Sequence, residues 1–328
     1  MSDTATLSRL FSSIEADMNE VERQFASHAT SGLEILNAAA AHALSSPGKR
    51  MRTALTLLAG KLFDYRREKL QLVAVALEMV HLSTLIHDDV IDEAATRRGI
   101  PTVNQRYGDK IALLLGDYFF AKTASLIADV EDSRIDRLFA RTVEQVCEGS
   151  IIELMTAHQF DLSIETYLER IQRKTACLIS ACCRGGATVG NGTDAQIAAL
   201  EQYGQHLGMA FQIVDDVLDY AGSAEATGKP VGNDLLQGLV TLPLIYALQS
   251  DNNGRRDQIA RLVAAPDGNR AAVAEVVRWV RQGPAIESTL DLARQYAARA
   301  RAALAGFPAS AERAILEELA EFAVARTW

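Results

Sequence analysis

Three observations predict an all-α fold. Alanine and leucine are abundant while aromatic residues make up only 6% of the chain, and aromatic and β-branched enrichment is what marks strands. No apolar–polar alternation of period two persists anywhere, and no low-complexity linker divides the chain. Long stretches such as 110–128 and 208–221 are apolar nearly all round, the pattern of helices from the middle of a bundle. Breaks rich in glycine and proline punctuate the chain, among them Ser46-Pro47-Gly48, Gly99-Ile100-Pro101, Gly190-Asn191-Gly192, Gly228-Lys229-Pro230 and Gly283-Pro284. The expected organisation is one large helical bundle over 1–328, of roughly a dozen helices.

Composition narrows the function. Lysine and arginine number 33 against 42 aspartates and glutamates, for a net charge of −9. That balance argues against a nucleic-acid partner. An anionic substrate is compatible only if divalent cations and local basic clusters carry the recognition. The first ten residues lack a basic start followed by an apolar core, so no signal peptide is expected. No apolar run is expected to span a bilayer. The four cysteines, Cys147, Cys177, Cys182 and Cys183, have no CxxC spacing. They are expected to be buried free thiols of a cytoplasmic protein.

Taken in chain order, the first chemical feature is Gly48-Lys49-Arg50-Met51-Arg52. It sets cations at a helix start, where free backbone N–H groups already favour anions. Next come Asp88, Asp89 and Asp92, a DDxxD cluster inside an apolar helix. Positions i and i+4 share a helix face, so Asp88 lies above Asp92. Arg97-Arg98-Gly99 follows within two turns, and adjacent arginines can serve two different anions with forked donors. Lys174-Thr175 places a cation and a hydroxyl inside a helix. Thr193 with Gln196 has the form of a capping box. Asp215, Asp216 and Asp219 then repeat the DDxxD pattern, again in an apolar helix, and Lys229 sits on the loop beyond.

Two acidic triplets in oily helices are costly. Like charges one turn apart repel, and partial burial of an unpaired charge adds several kcal/mol. A hard cation relieves this. Mg²⁺ takes oxygen ligands, keeps waters, and typically uses one or two carboxylates plus substrate phosphates. Two such helices facing each other would form a cleft for a metal-bridged diphosphate.

Together these residues make the sequence resemble the trans-isoprenyl diphosphate synthases, or polyprenyl synthetases. The resemblance runs from about Pro47 to Ile245 and is carried by GKRMR, ExxHxxTLIHDDVID with RRG, KT, FQIVDDVLD and GKPVGNDLLQGLVTLP. It implies the isoprenoid synthase type of bundle, with the active-site cleft between the two DDxxD helices, working as a homodimer. It implies condensation of isopentenyl diphosphate with an allylic diphosphate, with three Mg²⁺ ions present when substrate is bound. Asp88, Asp92 and Asp215 are then expected as metal ligands, with Asp219 acting through water and Asp89 and Asp216 completing the shells. Arg97, Lys174, Thr175, Gln212 and Lys229 would hold the allylic diphosphate. Lys49, Arg52, His81 and Arg98 would hold isopentenyl diphosphate, with Phe211 near its alkyl part. Glu153 and Arg326 are expected nearby. Leu239 departs from the family pattern, in which many members carry lysine.

The implied chemistry is loss of diphosphate to give an allylic cation, attack by the isopentenyl double bond, and proton loss to the released diphosphate. Leaving-group stabilisation, alignment and exclusion of water would supply the catalysis. Ser83 and Thr84 lie roughly 6 to 7.5 Å deeper than Asp88 along their helix, and both are small. Bulky residues there stop elongation in this family, so a medium- or long-chain all-trans product is expected, from a farnesyl or geranylgeranyl starter. Val80, Met79, Phe119, Phe120, Ile151 and Leu154 are candidates for a deeper wall. Alternatives are a short-chain synthase, a non-catalytic subunit of a heteromeric synthase, a terpene cyclase and a His-Asp metallophosphohydrolase. The cyclase would not need the isopentenyl-binding cations. The hydrolase would need more histidines in register than His28, His42, His158 and His206 provide.

Overall fold

A computed structural model of the chain describes residues 3–45, 48, 50–222, 231–251, 254–263 and 270–326. Lys49 and Lys229 lie outside the described residues, as do the breaks at Ser46-Pro47 and Gly228-Lys229-Pro230. The described residues are almost wholly helical, as composition predicts. They fall into two compact units: Met1–Val143 with Leu178–Gly204 and Ala303–Glu318, and Glu144–Cys177 with Gln205–Ala302 and Leu319–Trp328.

The first unit opens with α1 (Asp3–Phe11), α2 (Glu15–His28), α3 (Glu34–Leu44) and α4 (Met51–Lys61). Its spine is α5 (Arg67–Ile91), which carries the first aspartate cluster at its C-terminal end. Apolar residues fill nearly every turn of α5, from Leu70 through Val80 to Ile86, and most of these are buried. A helix apolar on all sides must be covered on all sides. α7 (Asp109–Asp129) covers α5 most extensively, then α4 and α2. The chain between α5 and α7 holds two short strands and α6 (Val103–Tyr107). The strands are a departure from the wholly helical expectation. β1 (Thr96–Arg97) pairs antiparallel with β2 (Ile100–Pro101). Arg98 and Gly99 make the turn at φ 52° and 77°, the double positive φ of a tight hairpin.

α5 and α7 are both long and apolar enough to cross a membrane, which corrects the expectation that no such run exists. In α5, 67% of the apolar stretch is buried within the protein, but only 39% in α7. α7 is therefore less enclosed than its composition predicts, and it leaves Leu113 and Leu114 exposed.

α8 (Ser133–Thr156), α10 (Cys177–Val189), α11 (Asp194–Ala221), α16 (Ala285–Ala303) and α17 (Ala311–Ala325) each contribute residues to both units. Thr193 and Gln196 form the expected capping box at the start of α11: Thr193 N–H donates to Gln196 Oε1 at 2.9 Å, and Gln196 N–H to Thr193 Oγ1 at 3.4 Å. The second unit also holds α9 (Ile164–Ile171), α12 (Asn233–Leu236), α13 (Leu242–Gln249), α14 (Arg255–Val263) and α15 (Arg270–Gln282). Its core joins Met209, Ile213 and Val214 of α11 to Tyr167 and Ile171 of α9 and Leu242 and Leu244 of α13. Cys177, Cys182 and Cys183 are buried free thiols as expected, whereas Cys147 is exposed.

Candidate active site

Two groups of functional side chains are built, one within each unit. In the first, α5 ends with Asp88 partly exposed, Asp92 exposed and Asp89 buried. The middle aspartate faces inward because positions i and i+1 diverge by about a quarter turn or more on a helix. Asp89 is held there by Arg97, which returns from the hairpin: Nε donates at 2.8 and 3.0 Å to its two carboxylate oxygens, and Nη2 lies 2.8 Å from Oδ1. This is a forked ion pair, the strong form of the interaction.

The hairpin turn separates the two arginines. Arg97 goes to Asp89, while Arg98 faces Gly48 at the approach to α4. Around Arg98 lie Arg52 of α4, with a buried and unpartnered Nε, and His81 of α5. The cations surround one buried acid, Glu78, whose Oε1 accepts from both Thr53 N–H (3.2 Å) and Thr53 Oγ1 (3.0 Å). Glu78 thereby satisfies an N–H in the first turn of α4, where the preceding Arg50 supplies no side-chain cap. Sequence reasoning places Glu78 within a motif but gives it no role. A helix start with several cations and no capping side chain is the available signal. Burial, with Arg52, Arg98 and Arg97 nearby, pushes the His81 imidazole well below its usual value, so it is neutral near pH 7.

His87 turns the other way, with Nε2 3.1 Å from the Leu113 carbonyl of α7. It is a packing residue of the α5–α7 seam, which removes the His-Asp hydrolase reading. Ser83 is in the same seam. It is fully buried, and its hydroxyl donates to the Gly116 carbonyl at 2.7 Å. Thr84 sits on the Asp88 side of the helix and is partly exposed. Of the deeper-wall candidates, Met79, Val80 and Phe119 are fully buried core, and Ile151 and Leu154 are exposed.

In the second unit, Lys174 and Thr175 lie in a π-helical turn, Gln172–Ala176, between α9 and α10. Such turns are rare and concentrate at functional sites. Two glycines allow neighbouring helices to close on it. A Cβ on Gly149 of α8 would lie 2.4 Å from Lys174 N, and one on Gly208 of α11 would lie 2.6 Å from Ala176 Cα. Lys174 Nζ donates to Glu153 of α8. Thr175 Oγ1 donates to Gln212 Oε1 at 2.9 Å.

The second aspartate cluster divides as the first does. Asp216 is buried, accepting from Tyr167 OH (2.6 Å) and Gln212 Nε2 (2.8 Å). Burial is the main cause that raises its carboxyl to about 7. Asp215 and Asp219 are only partly buried. Asp219 accepts Asn233 N–H at 3.0 Å and Asp234 N–H at 3.2 Å, so it caps α12. Asp215 Oδ1 accepts from Arg326 Nη1 at 2.6 Å. Arg326, buried near the C-terminus, also donates to the Phe211 carbonyl at 2.8 Å and lies 3.8 Å above the Phe211 ring. Phe211 thus carries a cation on its face, a contact the sequence does not predict.

The donors fit a hard cation. Asp88 with Asp92, and Asp215 with Asp219, are all-oxygen pairs one helical turn apart. Among the described residues no three acidic, histidine or cysteine side chains converge as a closed cage. Such all-oxygen donors suit a hard divalent cation.

Comparison with known proteins defines the class. The polyprenyl synthetase family profile matches residues 33–280. The chain belongs to that family and is an enzyme that transfers prenyl groups. Component 2 of the heptaprenyl diphosphate synthase of Geobacillus stearothermophilus is 38% identical over 96% of this chain and 97% of its own. Octaprenyl diphosphate synthase of Haemophilus influenzae is 31% identical over 96% and 95%. Among solved structures, polyprenyl synthase from Caulobacter crescentus CB15, complexed with calcium and isoprenyl diphosphate, superposes with a TM-score of 0.93 at 37% identity, covering 98% of both chains.

Proposed function

We propose that the chain condenses isopentenyl diphosphate with farnesyl or geranylgeranyl diphosphate to give an all-trans medium- or long-chain polyprenyl diphosphate. The observation that carries this is the pairing of two intact aspartate motifs with small residues at Ser83 and Thr84, in a chain whose relatives are named heptaprenyl and octaprenyl diphosphate synthases. The whole of 1–328 acts as one catalytic domain, supported by superposition over 98% of a single relative's chain.

In this reading Asp88, Asp92, Asp215 and Asp219 hold Mg²⁺, three ions with substrate bound, which offsets the charge growing on the leaving diphosphate. Lys174, Thr175, Gln212 and Lys229 bind the allylic diphosphate, with Arg97 oriented by Asp89. Arg52, His81, Arg98 and Lys49 bind isopentenyl diphosphate. Apolar helices exclude water from the allylic cation. The exposed Leu113 and Leu114 of α7 are covered by a second copy in a homodimer, so neither α5 nor α7 spans a membrane, and the enzyme works in the cytoplasm.

A second reading has one specific observation behind it: two relatives, from Geobacillus stearothermophilus and Bacillus subtilis, are named component 2 of a heptaprenyl diphosphate synthase. The same experiment addresses both. The purified chain alone, given farnesyl diphosphate, isopentenyl diphosphate and Mg²⁺, is expected to yield a polyprenyl diphosphate longer than C20 by mass. The active species should have dimer mass by light scattering. No turnover until another subunit is added would establish the component reading.

A neutral His81 makes a further prediction. His81→Gln retains a neutral donor and should keep the KM for isopentenyl diphosphate within about threefold, whereas His81→Leu should raise it about tenfold. The stability sign also follows. A histidine with a depressed folded pKa takes up its proton more readily unfolded, so it destabilises the fold as pH falls below about 6.5. His81→Gln should therefore flatten the acid limb of a melting-temperature profile, and an unchanged limb would count against a neutral His81.

A further inference from the structure

Tyr167 lies outside every set of residues assigned to substrate or metal, yet it ends a continuous hydrogen-bond chain that reaches two of them. It is fully buried on α9, seven residues before Lys174. Its hydroxyl donates to Asp216 Oδ2 at 2.6 Å, Gln212 Nε2 donates to Asp216 Oδ1 at 2.8 Å, and Thr175 Oγ1 donates to Gln212 Oε1 at 2.9 Å. Each link constrains the next. With both Asp216 oxygens accepting, the NH₂ of Gln212 is turned toward Asp216 and its carbonyl toward Thr175. The Thr175 proton is then committed to Gln212. The second amide proton of Gln212 is left over from the chain, on a side chain that is only partly buried.

The tyrosine is itself fixed. Arg170 stacks on its ring at 5.5 Å and is anchored by Nη2 to the Val240 carbonyl at 2.8 Å. Both Asp216 oxygens are engaged by side-chain donors, and the carboxylate is buried, whereas Asp215 and Asp219 are partly exposed. The parallel with Asp89, whose oxygens are both engaged by Arg97, indicates a common division of labour. In each DDxxD motif the second acid is the buried one and is bound to a neighbouring side chain.

We propose that Tyr167 is a positioning residue that acts through Asp216 to fix the amide of Gln212, and through it Thr175, for binding the allylic diphosphate. This rests on the reading that Gln212 and Thr175 meet that diphosphate.

The test is a double-mutant cycle on the full-length enzyme. Tyr167→Phe keeps the ring and removes one donor. It should raise the KM for farnesyl diphosphate, and the Kd of its non-cleavable thiolodiphosphate, about tenfold. The KM for isopentenyl diphosphate and the Mg²⁺ concentration for half-maximal rate should stay within about twofold. Gln212→Ala should raise the same KM, and adding Tyr167→Phe to it should change little more. Full additivity of the two changes would overturn the proposal while leaving the site reading intact. A Gln212→Ala variant with unaltered allylic KM would overturn the site reading and the proposal with it. Should Tyr167→Phe fail to fold, Asp216→Asn provides the same test. It should reproduce the allylic KM effect with an unshifted Mg²⁺ requirement, and a raised requirement would make Asp216 a metal ligand and refute the positioning role.

Discussion

Asp88→Ala and Asp215→Ala are each expected to lower turnover by about a thousandfold or more, since each removes a carboxylate from the metal-binding set that stabilises the leaving group. The two variants should differ in stability. Asp88 is partly exposed at the end of α5, and its loss also relieves repulsion with Asp92, so the Asp88→Ala melting temperature should stay close to that of the parent. Asp215 is the partner of Arg326, whose side chain is only 2% exposed. Removing it leaves a buried cation without its carboxylate, which destabilises more than the intact pair stabilises. Asp215→Ala should therefore melt distinctly lower, and Asp215→Asn, which keeps an acceptor for Arg326, should recover stability but not turnover. Circular dichroism melts beside single-turnover rates at saturating Mg²⁺ separate the effects. Near-parental rates in either alanine variant would reject the metal role. Equal melting points for Asp215→Ala and Asp88→Ala would reject the Arg326 pairing.

Such a contrast between equivalent aspartates is not readable from sequence, and the reason is general. Spacing reports which side chains share a helix face, and it correctly sets Asp88 over Asp92 and Asp215 over Asp219. It says nothing about which neighbour answers each face. The motif marks Arg97 as a ligand for diphosphate, whereas its ion pair with Asp89 depends on a hairpin whose only local signal is Arg98-Gly99. Arg326 reaches Asp215 across 111 positions of sequence. Tyr167 looks like ordinary core, and by burial it is; only its hydroxyl sets it apart. The π turn around Lys174 likewise has no periodic signature, although Gly149 and Gly208, the residues that admit it, are visible. The all-helical class, by contrast, depends on summed local preference and on the absence of period two, so it is accessible before any tertiary contact is known. The same local reasoning puts α7 in the middle of the bundle. An apolar helix requires cover, but the sequence does not say whether its own chain provides it.

Thr84→Phe is expected to shorten the product by at least one isoprene unit while leaving the rate of the first condensation within about threefold. Sequence depth alone nominates Ser83 and Thr84 equally, and on that basis Ser83→Phe would also be expected to shorten the product. The geometry separates them. The Ser83 side chain points into the seam between α5 and α7, fully buried, with its hydroxyl on the Gly116 carbonyl. That seam has no room to spare: even a Cβ on Gly116 would come within 2.2 Å of the His87 ring. A phenyl group at 83 would have to push the packed helices apart, and overpacking of that kind costs about 1–3 kcal/mol or more. Ser83→Phe should therefore appear first as a lower melting temperature, with any change in product secondary to a shifted α7. Thr84 lies one turn below Asp88 on the same face and is partly exposed, so a larger side chain there can extend without displacing a helix. Its hydroxyl donates only to the His81 carbonyl of its own helix, at 2.8 Å, a local bond whose loss disturbs no neighbour. Mass analysis of products from both variants, read beside their melting curves, decides the matter. A full-length product from stably folded Thr84→Phe would remove that face of α5 from the path of the growing chain, and with it the inference of product class from residue size.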